Sequence, residues 1–421
     1  SMECHDIVCK TGEVVVVGGV RRSALISLSN LSDQRIRTAK TGDWWTTNPE
    51  RALANNSVAY TEKPDAGIFM KEWLSLYESK SGERGIFNRS SAQAKAAENG
   101  RRDADWDFGT NPCSEIILRP NQFCNLTEIV VRSTDTMVTL IKKVQIATLL
   151  GTIQSTFTNF GYLRKRWQNN TEEERLLGVS LTGIMDSPIL NGRETGLEKR
   201  LESLQEIAVE TNRYWAKKFG INQSTAITCV KPSGTVSQLV DSASGIHARH
   251  NPYYIRTVRG DNKDPLTEFM IASGIPSEPD YMKPEHTTVF SFPMKAPTGS
   301  VCRNDMTAIE QLELWKTYAQ HWCEHKPSVT ISVKEEEGVP VGAWCWENFS
   351  HLSGVSFLPF SDHTYQQAPY QDIDKATYEK LAKKMPTSID WQKLQDFEKE
   401  DNTKGSQELA CTAGVCELVD I

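Results

Sequence analysis

No run of about eighteen apolar residues, the length a membrane-crossing helix requires, occurs in the chain. Its opening residues, SMECHDIVCK, carry neither the basic nor the apolar part of a secretory signal. These absences argue against a membrane or exported protein and lead us to expect a cytoplasmic one. Positive charge is not in excess either. The 47 Lys and Arg face 54 Asp and Glu, a formal net charge of −7, so the chain has no general attraction to nucleic acid or to an anionic membrane surface. Internal repeats are also missing. What is present is 421 residues, enough for about three average domains or for one large α/β barrel. Ten cysteines are scattered irregularly. Without an export signal they read as reduced thiols, a few of them chemical and most of them buried in the core.

Along the chain, EVVVVGGVRRSALISL is a β-branched apolar run broken by Gly18 and Gly19, which predicts a buried strand, a bend and a second extended piece, so that the chain begins almost inside a core. GIFMKEWLSLYES has helical character, and the polar stretch NRSSAQAKAAENGRRDADWDFGTNP reads as a loop. Further helices are expected at 135–160, 172–186 and 194–219, the last stopped by Gly220. STAITCV, KPSVTISV and SGVSFLPF are strand-like, and between them Met306, Ile309, Leu312, Trp315, Tyr318 and Trp322 recur at helical spacing after an Asp305 cap. Alternation of strand and helix predicts an α/β fold, with a mostly parallel sheet or barrel covered by helices. From residue 398 the chain turns polar and rich in small residues, as a mobile tail would.

Three stretches carry residues with chemical potential. NPCSEIILRPNQFCNLTEI places Glu115 two residues after Cys113, with Cys124 eleven residues beyond that cysteine. A thiol pair that cycles to a disulfide needs its Cα atoms within about 7 Å, so these two must fold together or find other partners. Taken alone, a Cys-x-Glu is more often structural. In TCVKPSGTVSQLVDSASG a strand runs into Pro-Ser-Gly-Thr and the start of a helix, where free N–H groups and small hydroxyls could receive an anion; an ordinary Ser/Thr cap is the competing reading. The terminal CTAGVC spaces Cys411 and Cys416 more widely than half a zinc site usually is, with no second pair nearby. Two thiols in a polar tail suit thiol–disulfide shuttling instead. HWCEHK, with His321, Cys323 and His325, reads as packing and surface, Cys229 and Cys302 read as core thiols, and the histidines of GIHARH receive no role.

Read together, NPCSEI followed by FCNL, with VVVVGGVRRSALISL, NPERALANNSV, KPSGTVSQLVDSASGIHARHNPYYIRTVR, SGVSFLPF and the Cys411/Cys416 pair, resembles the ribonucleotide reductases over nearly the whole chain, most of all the adenosylcobalamin-dependent class II. The resemblance implies part of a ten-stranded α/β barrel over residues 1–397 and a mobile redox-active tail over 398–421. It implies that Cys113 becomes a thiyl radical that abstracts the ribose 3′-hydrogen. Glu115 would be the base for the 3′-hydroxyl proton, and Asn111 would hold the same sugar edge. Cys124 would share substrate reduction with a cysteine on the first barrel strand. Ser233, Gly234, Thr235, Val236 and Ser237 would cradle the nucleotide phosphates, with Lys231 only flanking them. Cys411 and Cys416 would shuttle electrons from a thioredoxin-like donor.

The chain departs from the family at its start. Only Cys4 and Cys9 precede the segment GGVRRSALI, and neither has the context of the first-strand cysteine. The expectation is therefore a C-terminal reductase portion, opened by a cloning remnant, Ser-Met, and partnered by an N-terminal fragment that supplies the missing strands and thiol; Cys9 as a substitute thiol is the alternative. No metal ligand set is expected. The resemblance implies adenosylcobalamin as cofactor, because the region SGVSFLPFSDHTYQQAPYQD holds Tyr365 and Tyr370 but no adjacent tyrosine pair, and the tail has no glycyl-radical motif. The substrate leans toward ribonucleoside triphosphates. A class I-type large subunit served by a separate radical subunit, or a non-catalytic assembly partner of reductase ancestry, are the other readings.

Overall fold

The computed structural model describes residues 1–13, 16, 17, 20, 21, 23–360 and 366–398. The tail from 399, with Cys411 and Cys416, and also Tyr365, Gly18 and Gly19, lie outside the described residues. The fold is mixed α/β. After a short antiparallel pair, Val16–Val17 with Val20–Arg21, come three parallel strands: β1 (Leu25–Ser29), β2 (Ala54–Tyr60) and β3 (Gly85–Asn88). A second parallel group follows, made of β4 (Asn125–Val130), β5 (Leu177–Thr182), β6 (Thr228–Cys229), β7 (Val329–Val333) and β8 (Val355–Pro359).

The strands hydrogen-bond in the orders β7-β8-β3-β2-β1 and β6-β5-β4, with β3 antiparallel to β8 through the pair Ile86–Val355. A parallel bridge between Val230 and Pro327 continues β6 toward β7, supported by Ser328 N donating to the Val230 carbonyl at 2.8 Å. The five and the three strands thus form one curved arc of eight that starts at β1 and ends at β4. A separate antiparallel sheet (Ser277–Pro279, Thr287–Lys295, Tyr253–Asp261, Tyr370–Asp372) is tied to the arc by Arg249, which donates to both carboxylate oxygens of buried Asp186 at 2.9 Å.

Every residue of β5 is buried, because the arc's concave face lies on one side and helices α1 (Met137–Gln154), α2 (Leu197–Phe219) and α3 (Ala308–His321) pack on the other. In α2, Leu197, Leu201, Leu204, Ala208 and Ala216 repeat at helical spacing and are buried, and Gly220 ends the helix at φ +67°. The largest core side chains, Trp315, Tyr318 and Trp322, donate their polar hydrogens to the carbonyls of Pro327, Leu190 and Cys229, each at 2.8 Å, so burying them strands no donor.

Several expectations are corrected. The chain opens on a helix, Met2–Glu13, whose Met2, His5 and Cys9 face inward. The stretch expected as a polar loop contains the helix Arg89–Glu98, capped by the Asn88 side chain on Ser91 N. The helix expected over 172–186 stops at Glu174, where Arg175 turns to φ +46°, and LGVSLT becomes β5; burial on both faces overrides the local pattern. The cap of α3 is Thr307 in a reciprocal box with Glu310, not Asp305, which instead accepts from Cys302 N. Among the described residues no helix is long and apolar enough to cross a membrane.

Candidate active site

The segment between β3 and β4 packs against β5, where a Cβ on Gly178 would lie 3.2 Å from Ile116 Cδ1. Gly109–Thr110 pairs with Ile117–Leu118, and the residues between them form the tip that carries Asn111, Cys113 and Glu115. The tip is shaped by its own polar groups. Asn111 accepts from Ile116 N with its side-chain oxygen at 3.0 Å and from Ser114 N with its carbonyl at 2.9 Å, and Ser114 takes the left-handed conformation, φ +63°. Asn55 of β2 donates to the Pro112 carbonyl at 2.8 Å. Gly354, just before β8, lets the tip come close, since a Cβ there would lie 2.4 Å from the Ser114 Cβ.

Both legs of the segment are held by buried charge. Glu174 is fully enclosed. It accepts from Arg102 on both oxygens, at 2.8 and 2.9 Å, and pairs with Arg119 at 3.1 Å, and Arg102 also donates to the Ile117 carbonyl at 2.9 Å. From the opposite side His325, fully buried, receives Ile117 N on Nδ1 at 3.3 Å and donates from Nε2 to the Leu177 carbonyl at 3.0 Å. Those two partners require the neutral tautomer, and burial, with Arg102 nearby, holds the His325 pKa well below its ordinary value.

Cys113, with Pro112 and Ser114, lines a recess of about 250 Å³ whose other walls come from β1, β2, the turn into β3, Pro232, β7 and β8. Directly behind that wall lies Glu115, with no solvent exposure. Its Oε1 receives Lys231 Nζ at 2.6 Å, while Oε2 is buried and has no hydrogen-bond partner among the described residues. Cys124 stands at the entry to β4; burial first, and the charge of Glu115 second, push its thiol well up, so it stays protonated. The structure therefore brings Asn111, Cys113 and Glu115 together on one tip, with Cys124 within electrostatic reach of Glu115. Cys9 instead packs beneath Leu53 and Ala54, and burial raises its thiol to about 11.

The Ser233–Ser237 segment follows β6. Ser233 and Gly234 have positive φ, +60° and +56°, and Thr235 begins the short helix Thr235–Leu239. Its hydroxyls are less available than the sequence implied. Ser233 donates to Glu128 of β4 at 2.7 Å, and Ser237 donates to the Gly234 carbonyl at 2.6 Å. An anion there would rely on backbone N–H groups and would meet the Glu128 carboxylate nearby. His247, half-buried, bonds the Ser244 carbonyl and Thr330 N, so the first of the two GIHARH histidines serves to join this loop to β7. Sequence reasoning missed Glu174 and Glu128, gave Lys231 only a place flanking the phosphates, and read His325 as packing without its bond to Ile117. Only Lys231 had a local signal, its place just before Pro-Ser-Gly-Thr.

No family model matches the chain. Among curated proteins it is 28% identical, over 99% of its length and 60% of the relative's, to the adenosylcobalamin-dependent ribonucleoside-triphosphate reductase of Lactobacillus delbrueckii subsp. bulgaricus. It is 28% identical to the protein of that name from Euglena gracilis, over 91% of this chain and 52% of the other. The chain thus spans about 60% or less of the length of these relatives. Among solved structures, a B12-dependent class II ribonucleotide reductase superposes with a TM-score of 0.74 at 23% identity, covering 90% of this chain and 56% of that one. The α subunit of the Actinobacillus ureae class Id ribonucleotide reductase gives 0.53 at 13% identity, covering 80% and 70%.

Proposed function

We propose, from a chain homologous over 99% of its length to adenosylcobalamin-dependent ribonucleoside-triphosphate reductases, that it is the C-terminal catalytic portion of a cytoplasmic enzyme that reduces ribonucleoside triphosphates to 2′-deoxyribonucleotides. The observation that carries this reading is the pairing on one tip of Cys113, which lines the recess, with Glu115, whose buried Oε2 has no hydrogen-bond partner among the described residues. A buried acceptor with nothing to accept from is costly, and a substrate hydroxyl would satisfy it. Cys113 would take the 3′-hydrogen as a thiyl radical, Glu115 would take the 3′-hydroxyl proton, and Asn111 would steady the sugar through its amide nitrogen. Cys124, kept as a thiol, would provide a proton and an electron as the 2′-hydroxyl departs as water, with the second thiol coming from an N-terminal fragment that also closes the arc into a barrel.

Ser233 to Ser237 would hold the phosphates through backbone N–H groups. The tail cysteines, Cys411 and Cys416, would reduce the resulting disulfide with electrons from a thioredoxin-like donor. At about 250 Å³ the recess is too small to enclose adenosylcobalamin, which would touch only part of its wall; hydroxyls of Ser57, Ser328, Thr330 and Ser356 there would suit amide side chains, and Val355 and Phe357 an apolar ring face. When bound, that cofactor supplies the one-electron chemistry that oxidises the Cys113 thiol. The test is deoxynucleotide formation by the chain joined with an N-terminal reductase portion, adenosylcobalamin, a ribonucleoside triphosphate and a small dithiol. Turnover is expected, and Cys113→Ala should abolish it while leaving the fold intact, since a thiol-to-methyl change removes little packing. Undiminished turnover by Cys113→Ala would overturn the assignment.

A further inference from the structure

Lys231 is the cation nearest the proposed base, and the fold fixes it there from both sides of its backbone. Its N–H donates to Ser180 Oγ of β5 at 2.8 Å. Its carbonyl is met by Gly245, which holds φ +56° and where a Cβ would lie 2.3 Å from the Lys231 oxygen, so no larger residue fits opposite it. From this anchored position the side chain reaches Glu115 Oε1 at 2.6 Å. Of the two, only Lys231 keeps contact with solvent, its side chain being 26% exposed against 0% for Glu115. Burial acts to lower the Lys231 pKa, but the charge and hydrogen bond of Glu115 outweigh it and hold the ammonium above its ordinary range.

An enclosed carboxyl with no counter-charge favours its neutral form, and a neutral acid cannot accept a proton from a hydroxyl. Among the described residues the other groups around Glu115 do not supply that charge at contact distance: Lys326, whose N–H donates to the Glu115 carbonyl at 3.0 Å, sets its Nζ over the Phe87 ring instead, 5.4 Å from the centroid. Cys113, Cys124 and Cys229 are thiols, the last two pushed well up by burial. Arg102 has both its Nε and Nη2 engaged by Glu174.

We propose that Lys231 is the positioning residue of the base: its ammonium keeps Glu115 ionised inside the closed site and holds Oε1, so that Oε2 is the oxygen that receives the substrate's hydroxyl proton. This rests on the function proposed above for Glu115. The proton passes from the hydroxyl oxygen to Glu115 Oε2, and Lys231 stays protonated throughout, so the step needs no further reactant. The same geometry gives Lys231 a role different from flanking a phosphate.

The test reads the carboxyl directly. Infrared spectra of the full chain are recorded across pH, and the protonated-carboxyl band that Glu115→Gln removes is assigned to Glu115. In Lys231→Met that band should emerge about one pH unit or more higher than in the parent chain. Lys231→Arg should return it to the parent position. Lys231→Gln, which keeps a donor without the charge, should behave like Lys231→Met, and it serves if the methionine variant fails to fold. A band that emerges at the same pH in the parent chain and in a folded neutral variant overturns the proposal. In the complemented reductase assay the acid limb of the kcat/KM profile should move in the same direction. Absence of turnover in the parent itself counts against the reductase reading and leaves the infrared comparison to decide the role of Lys231.

Discussion

Glu174 and Glu115 are both carboxylates with no solvent exposure, each paired with basic side chains, and each bound to the same segment. They differ in completeness. Glu174 has two arginines on it and both oxygens occupied. Glu115 has one lysine on one oxygen and, among the described residues, no hydrogen-bond partner on the other. The Glu174 carboxylate is fully engaged, as a structural clamp requires, although Arg102 Nη1 and Arg119 Nε, on its partners, have no hydrogen-bond partner among the described residues. On Glu115, one bond is left for a ligand. Depth of burial therefore does not tell these two carboxylates apart, whereas the oxygen that Glu115 alone leaves unbonded does.

This contrast can be broken by substitution. Glu174→Ala leaves Arg102 buried without its counter-charge and Arg119 with only the exposed Glu173, and a loss of about 3–5 kcal/mol in unfolding free energy is expected, measured by denaturant titration. A loss under about 1 kcal/mol would show that the clamp does not hold the legs. Gly354→Ala sets a Cβ against Ser114 and should cost about 1–3 kcal/mol by overpacking; full stability there would mean that the tip moves aside easily.

The third variation is pH. His325 is neutral in the fold, with a pKa held well below the 6.5 of an unperturbed histidine. Below about 6.5 the unfolded chain binds a proton that the folded chain refuses, so stability falls as pH drops, by up to about 1.4 kcal/mol per pH unit for this group. His325→Asn should flatten that slope between about pH 6.5 and 5, and an unchanged slope would assign it elsewhere. The smallest effect is expected at Glu115→Gln. Lys231 keeps access to water, so the variant should stay within about 1 kcal/mol of the parent although the proposed base is gone; a loss as large as that of Glu174→Ala would make the two carboxylates equivalent.

The strands were legible where β-branched runs were short and bounded, as in VTISV and VSFLP, and α2 was legible from its spacing and Gly220. The tip residues were legible because Asn111, Cys113 and Glu115 are adjacent in sequence. Their supports were not. Lys231 meets Glu115 across 116 positions and His325 meets Ile117 across 208, distances over which a single sequence carries no pairing signal. Nor does composition separate Glu172, Glu173 and Glu174, consecutive and identical, of which only the last is buried. The helix Met2–Glu13 was missed because its inward face is Met2, His5 and Cys9, too polar for the hydrophobic pattern to register.

The junction between the two strand groups bears on how the chain reaches this fold. Ile86 and Val355 are a single paired position, and they lie 269 residues apart along the chain, against 28 for Val58 and Ile86 within the first group. Loop-closure entropy grows with the logarithm of that separation, and a tenfold longer loop adds about 2 kcal/mol to the cost of the first contact. The side-chain bonds that reinforce the junction, Asn88 to the Phe349 carbonyl and Trp73 to the Gly338 carbonyl, span similar separations. Each strand group can thus form from contacts close in sequence, whereas the join between them, on which the wall around Cys113 depends, must wait for both.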